Sequence, residues 1–375
     1  MSSSNAWFSK QMAKNKHRRY IQGINIEDKL ENKIEEKTEM IKENANKVLR
    51  IAVDAGKGYT KWAYKITKIV VDVEGNESEK TTSKTGIEMS TVEKGEADFG
   101  ETTYIKNAGE NDFTAYNFNV RTKAVENKDK TKNNDEHRAL MQRVLAKVAK
   151  EEGINDFEVI MCISLDQFKL SDNVSDMRDF MDVKSFEVKE GSDITTINIV
   201  NLIIEPETLV TTRYAKKTKL KDSNVVLVDI GTLNVGVAPI DRGKLVKEDL
   251  TAPRIGYDTM IGMFKEYSDS KGHDFKKNTL EIYVDGHQGT GHKLDAVFKE
   301  FFVNEYAPLI KEEIDAKGFG EFSSLIFLGG TSSKCANLIE EAFDEYNSIE
   351  VIKDIYATVK GAYEKGCKDL DKLKS

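Results

Sequence analysis

The chain has 375 residues, 39% of them hydrophobic and 32% charged, with a formal net charge of −8 at pH 7. That length exceeds one compact core and suits two, and the acidic balance argues against direct nucleic-acid binding by the body of the protein. The three cysteines, Cys162, Cys335 and Cys367, form no CxxC pair and no zinc-like cluster, and no window offers the roughly 18 apolar residues of a membrane span or the apolar core of a secretion signal, so a cytoplasmic protein without membrane contact is expected.

In chain order, residues 1–22 carry Lys10, Lys14, Lys16, His17, Arg18 and Arg19 with no acidic residue, interleaved with Trp7, Phe8 and Tyr20. Ile26, Leu30, Ile34, Ile41, Ala45 and Val48 then recur at helical spacing, which predicts an amphipathic helix. This N-terminal extension, residues 1–47, reads either as a solvated helix packed on the domain behind a disordered tail or as an arm that contacts a neighbouring subunit or a partner. Arg50–Val53 and Thr60–Ile66 predict two strands joined by a glycine turn. Residues 74–135, rich in Glu, Lys, Asn and Thr, predict a small loop-rich inserted subdomain with weak strands such as Thr103–Ile105. A helix is expected over 136–151 with Leu140, Val144, Leu145 and Val148 on one face, then strands at 158–163 and 196–204 and a helix beginning near Pro206.

The second half repeats this scheme. Val225–Val228 predicts a buried strand and Asn234–Ile240 its partner after a second glycine turn. Helical runs are expected at Thr259–Tyr267 and Leu294–Lys311, and Leu325–Leu328 predicts a strand that ends in Gly329-Gly330 and starts a helix. Strands alternating with helices, in two similar units, define an α/β protein with a duplicated domain plan.

Three loops carry the chemistry. Asp54-Ala55-Gly56-Lys57-Gly58 and Asp229-Ile230-Gly231-Thr232-Leu233-Asn234 each set a carboxylate at the end of a buried strand, just before a glycine turn. Glycines let backbone N–H groups converge on an anion, and a carboxylate beside such a cradle can hold Mg²⁺ through its waters. Two such hairpins facing each other would clamp a polyphosphate. The third loop, Gly329-Gly330-Thr331-Ser332, opens a helix after a strand and suits the nucleoside end of a nucleotide. Neither a GxxxxGK[ST] loop nor a GxGxxG helix start is present, which excludes the P-loop and Rossmann readings. His287 and His292 fall in a glycine-rich run that reads as a polar surface loop or a lid, and Cys162 lies in an apolar strand as a buried thiol.

The three loops in this order resemble the actin, sugar-kinase and chaperone ATPase superfamily, over about residues 48–370. Within it, Ile51–Lys61, Pro206-Glu207 and Tyr356–Tyr363 are similar to the bacterial ParM-like actins. The resemblance implies an actin-like fold with domains at 48–215 and 216–375, the helix near 357–371 packing back on the first. It implies ATP or GTP with Mg²⁺ as ligands. Asp54, Gly56, Lys57, Gly58, Thr60 and Lys61 would meet the phosphates from one side and Gly231, Thr232 and Asn234 from the other. Gly329, Gly330, Thr331 and Ser332 would hold the nucleoside, and Asp54 and Asp229 the metal through waters. Asn234 stands where many relatives carry an acid, so no charge is available there. Glu207, with Asp229, is the expected catalytic pair, Glu207 orienting the attacking water; Glu205, in an Ile-Glu-Pro context, is the competing candidate. The implied function is ATP hydrolysis coupled to head-to-tail filaments that segregate plasmid DNA through a small DNA-binding adaptor at a centromere. A small-molecule kinase of the same superfamily is the alternative, and a nucleotide-gated chaperone would need a further peptide-binding domain.

Overall fold

In a computed structural model, which describes residues 48–71, 77–97, 102–118, 132–169, 171–212, 224–286, 288–320 and 323–374, Leu49–Ala55 (β1) and Tyr59–Val71 (β2) form the first hairpin. The extension 1–47 and His287 lie outside the described residues. The antiparallel register closes at Ala55 opposite Thr60, so Gly56-Lys57-Gly58 make the turn. The second hairpin, Val225–Ile230 (β10) with Val235–Asp241 (β11), closes at Ile230 opposite Val235. Each leading strand is an almost unbroken apolar run, as a strand buried on both faces requires.

Parallel strands are added to each hairpin. Asp156–Ile163 (β7) runs parallel to β1, and Asp193–Pro206 (β9) parallel to β7. Ser324–Leu328 (β13) runs parallel to β10, and Ser348–Val351 (β14) parallel to β13. Glu77–Met89 (β3), Glu93–Lys94 (β4), Thr103–Asn107 (β5), Thr114–Asn117 (β6), Ser185–Glu190 (β8) and Lys244–Leu245 (β12) complete the sheets. Among the described residues these are a nine-stranded sheet in the order β3-β2-β1-β7-β9-β8-β5-β6-β4 and a five-stranded sheet in the order β12-β11-β10-β13-β14. The described parts of 74–135 are thus strands that widen the first sheet.

Asp135–Glu152 (α1) matches the expected helix, and its ends have visible causes. The Asn134 side chain accepts from the His137 N–H, Asp135 and Glu136 favour the positive N-terminal end, and Gly153 closes the helix at φ 69°. Ile51 and Val53 pack with Val144, Val148 and Met161 on the α1 side, while Ala52, Ile160 and Cys162, one residue out of step, face the other side. That alternation is the period of a strand. The second face is covered by Ala357–Lys374 (α11) through Val359, Ala362 and Leu370.

Short helices at Leu165–Phe168 (α2), Ser171–Met181 (α3) and Glu207–Thr211 (α4) follow β7 and β9. On the second sheet, Tyr257–Ser270 (α5), Lys277–Gly286 (α6), Asp295–Phe301 (α7) and Ala307–Asp315 (α8) pack around Phe264, Phe298 and Phe327, with a π-helical turn at Phe302–Tyr306 between α7 and α8. Gly330–Lys334 (α9) and Ala336–Ala342 (α10) follow β13. The chain divides into two compact units, and the larger, residues 47–67 and 81–375, contains every residue of the site described next. Among the described residues no helix is long and apolar enough to cross a membrane.

Candidate functional site

The carboxyl ends of β1, β7, β9, β10 and β13 bring the candidate residues together, the position at which open α/β sheets bind ligands. Asp54 is the penultimate residue of β1 and is 8% exposed, and Asp229 is the penultimate residue of β10. The two turns approach closely: a Cβ on Gly58 would lie 2.3 Å from Thr232 Oγ1, so only glycine lets the hairpins sit this near. Gly329 has φ 95°, and a Cβ there would lie 2.5 Å from Asp229 Oδ1 and 2.7 Å from the Ile230 carbonyl oxygen. Both the backbone angle and the space therefore require glycine. These two contacts bring the first hairpin, the second hairpin and the loop after β13 to one place.

The second turn is built on the start of α5. Gly231 N–H donates to the Asp229 and Asn234 carbonyls at 3.1 and 3.0 Å. The Gly231, Thr232 and Leu233 carbonyls accept from Tyr257, Asp258 and Gly256 N–H at 2.9, 2.9 and 3.0 Å. A Cβ on Gly256 would lie 2.5 Å from the Leu233 carbonyl carbon, so this glycine, which sequence reasoning did not single out, is the seat of the turn. The first turn is held by the residue just after β3: Ser90 N–H donates to the Gly58 carbonyl at 3.0 Å, and Thr60 Oγ1 pairs with Ser90 Oγ at 2.8 Å, both buried. Thr60 thus supports the loop from behind. Ser332 also points inward, its hydroxyl donating to the Leu328 carbonyl at 2.6 Å.

Glu207 begins α4, directly after Pro206 ends β9, and its side chain is 22% exposed. Its carboxylate forms an ion pair with Lys132, whose Nζ also donates to Asp54 Oδ1 at 2.7 Å. Lys132 is 4% exposed and was not foreseen from sequence. It is the last of four lysines between 123 and 132, in a polar run without periodicity, so no local signal separated it from solvated neighbours. Thr208 Oγ1 donates to Asp229 Oδ2 at 3.2 Å and ties α4 to the end of β10.

Glu205 is elsewhere. Two residues before Glu207 on β9, it shares the face of Ile203 and meets α11, where Lys365 Nζ donates to its Oε1 at 2.6 Å and its Oε2 at 2.5 Å. Asp369 takes the same ammonium at 2.9 Å.

Burial pushes the Asp229 carboxyl up to about 6, against the attraction of Lys61 and with the repulsion of Asp54. Burial likewise pushes the Glu207 carboxyl up, opposed by Lys132 and aided by the charges of Asp54 and Asp229. Burial alone would weaken the hold of Lys132 on its proton, but Asp54 and Glu207 outweigh it and keep the ammonium charged. His137, at the first turn of α1 and fully buried, is pushed down to about 3, first by burial and then by Lys132 and Lys57.

The chemistry of these groups fits a magnesium-bound polyphosphate. Carboxylates such as Asp54 and Asp229 are hard oxygen ligands of the kind Mg²⁺ takes through water, although no cluster of three or more His, Cys, Asp or Glu placed to grip an ion directly occurs among the described residues. The second glycine turn leaves backbone amides at Thr232 and Leu233 without a backbone partner among the described residues. Lys57 and Lys61 add positive charge on the first hairpin.

No protein-family model matches the sequence, and no curated protein matches it either. Solved structures do. The fold is the actin-like fold. The chain is similar to the apo ParM protein of psk41 (TM-score 0.59, 14% identity, 88% of this chain and 100% of that one). It is similar to AlfA from the B. subtilis plasmid pLS32 in its filament (TM-score 0.52, 14% identity, 85% and 99%). An archaeal actin homologue in complex with ADP superposes with TM-score 0.59 at 17% identity, over 86% of this chain and 100% of the other.

Proposed function

We infer that the chain is a nucleotide-hydrolysing, filament-forming protein of the actin type, with ATP or GTP and Mg²⁺ in the site between domains 48–215 and 216–375. The observation that carries this reading is the convergence of Asp54, Asp229 and Glu207, from the ends of β1, β10 and β9, beside two facing glycine turns. The actin-like fold supports it, as do neighbours solved as an AlfA filament and as an ADP complex.

Gly56, Lys57 and Gly58 would present the first cradle to the phosphates, and Gly231, Thr232 and Asn234 the second. Gly329, Gly330 and Thr331 would border the nucleoside. Mg²⁺, held by Asp54 and Asp229 through water, would neutralise phosphate charge as the terminal bond breaks. Glu207 would orient the attacking water and take its proton, because a carboxyl raised by burial is a better base than an exposed one. Glu205, held by Lys365 on α11, would take no part in this step. Filaments would be head-to-tail, since heterologous contacts that do not close give open polymers. A net charge of −8 favours a small basic DNA-binding adaptor between the filament and a plasmid centromere over direct DNA contact.

Pelleting of the purified protein with Mg-ATP, Mg-GTP or no nucleotide, alongside phosphate release, tests this. A nucleotide-dependent rise in sedimentable protein with phosphate release is expected. Hydrolysis that needs a small-molecule acceptor, with no pellet, would move the chain to the kinases of the same superfamily.

A further inference from the structure

The hydrolysis outlined above gives no part to Lys132, although its ammonium sits among the carboxylates and is nearly inaccessible. An ammonium has three N–H donors. Lys132 Nζ donates to Asp54 Oδ1 at 2.7 Å, forms an ion pair with the Glu207 carboxylate and lies 3.5 Å from the Cys162 carbonyl oxygen. Both close partners of the ammonium are carboxylates. The main chain is fixed as well: Lys132 N–H donates to Gln167 Oε1 at 3.0 Å, and that oxygen also accepts from Ser164 Oγ at 2.9 Å. Gln167 is itself 3% exposed. Lys132 therefore reaches its partners from a main chain tied to α2, just after β7.

We propose that Lys132 is a positioning residue for Glu207, tying its carboxylate to Asp54 so that it points at the attacking water. Asp54 ends β1 and Glu207 starts α4, and no other described side chain bonds both. Without the ammonium, Glu207 would face Asp54 and Asp229 as like charges and turn away. A displaced base costs rate far more than affinity, because alignment of the water matters chiefly in the transition state.

The inference rests on the reading of the chain as a nucleotide hydrolase. Its test is steady-state hydrolysis and equilibrium binding of Mg-ATP by the full chain in wild type, Lys132→Met, Lys132→Arg, Glu207→Gln and the double variant Lys132→Met/Glu207→Gln. In Lys132→Met, kcat should fall by about 10²-fold, in the range of a lost general base, while Kd changes by less than about threefold. Lys132→Arg should recover part of the rate. The double variant should be no slower than Glu207→Gln, because Lys132 then has nothing left to position. A weakened Kd with unchanged kcat would make Lys132 a phosphate ligand and overturn the proposal, as would losses that multiply in the double variant. If Lys132→Met does not fold, the comparison of Glu207→Gln with the double variant, which buries less uncompensated charge, decides on the same criterion. Wild type that binds but never hydrolyses ATP would overturn the hydrolase reading itself, whereas an active wild type with an equally active Lys132→Met overturns only the role of Lys132.

Discussion

Pro206 separates two glutamates that sequence alone left in competition. Glu205 is the last acidic residue on the strand and is bound by Lys365 on α11; Glu207 starts a helix and turns toward Asp54 and Asp229. Glu207→Ala should bind Mg-ATP normally and slow phosphate release by about 10²–10⁴-fold. Glu205→Ala should keep its rate and instead lose stability, since it leaves Lys365 without a buried partner. Phosphate release measured on both variants decides, and the reverse pattern would reject the assignment. His137 offers a second residue-scale expectation. In the fold it protonates only near pH 3, but in the unfolded chain near 6.5. Its contribution to stability is complete above pH 6.5 and drains away as pH falls toward 3, about 2 kcal/mol being lost by pH 5. Denaturant melts of His137→Gln should be flatter than wild type between pH 7 and 5; parallel curves would contradict this. Asp54, Asp229 and Gly329 were legible because glycine turns at strand ends constrain the backbone visibly. Lys132 was not, because burial of one lysine among four depends on contacts with β1 and α4, far away in sequence.

At the scale of elements, runs such as Ile51–Val53, Val225–Val228 and Leu325–Leu328 betrayed buried strands, and α1 was marked by its apolar stripe. β3 was not legible. Its residues, mostly Glu, Lys, Ser and Thr, are exposed on both faces, so no alternation marks it; pairing at the sheet edge makes it a strand. The joint of α11 with α4 was equally silent. A Cβ on Gly361 would lie 2.1 Å from the Val210 carbonyl oxygen, and Thr211 Oγ1 reaches Thr358 Oγ1 at 3.3 Å. Gly361→Ala should therefore push α11 off the helix that carries Glu207, costing about 1–3 kcal/mol as other overpacking does. Gly262→Ala in α5, where an added Cβ meets nothing within 4 Å, should be neutral or stabilising by up to about 1 kcal/mol. Chemical denaturation of the pair tests this, and equal behaviour would refute the close joint.

Across the whole molecule, the site draws its groups from both sheets, so a ligand there should stabilise them together. With Mg-ATP at a hundredfold its Kd, unfolding should cost about 2.7 kcal/mol more than without it. Chelation of Mg²⁺ should remove most of that gain, and Asp229→Ala should abolish it while keeping a cooperative melt. A gain that survives in Asp229→Ala would place the nucleotide elsewhere. The duplicated plan was legible from two hairpin signatures, whereas the closing of the first sheet by the distant α11 was implied only by family resemblance, because a helix stripe says what is apolar and not which sheet it covers.

That closing has a consequence for how the protein is made. β1 leaves the ribosome early, yet Ala52 and Ile160 receive their cover only when Val359 and Ala362 have been translated. At roughly 5–20 residues per second the intervening stretch takes about 15–60 s. During that interval the first sheet has one bare apolar face while the second sheet is synthesised beside it. Nascent chains stalled before residue 357 should therefore bind a chaperone and stay unable to bind nucleotide, and release from it should coincide with the emergence of α11.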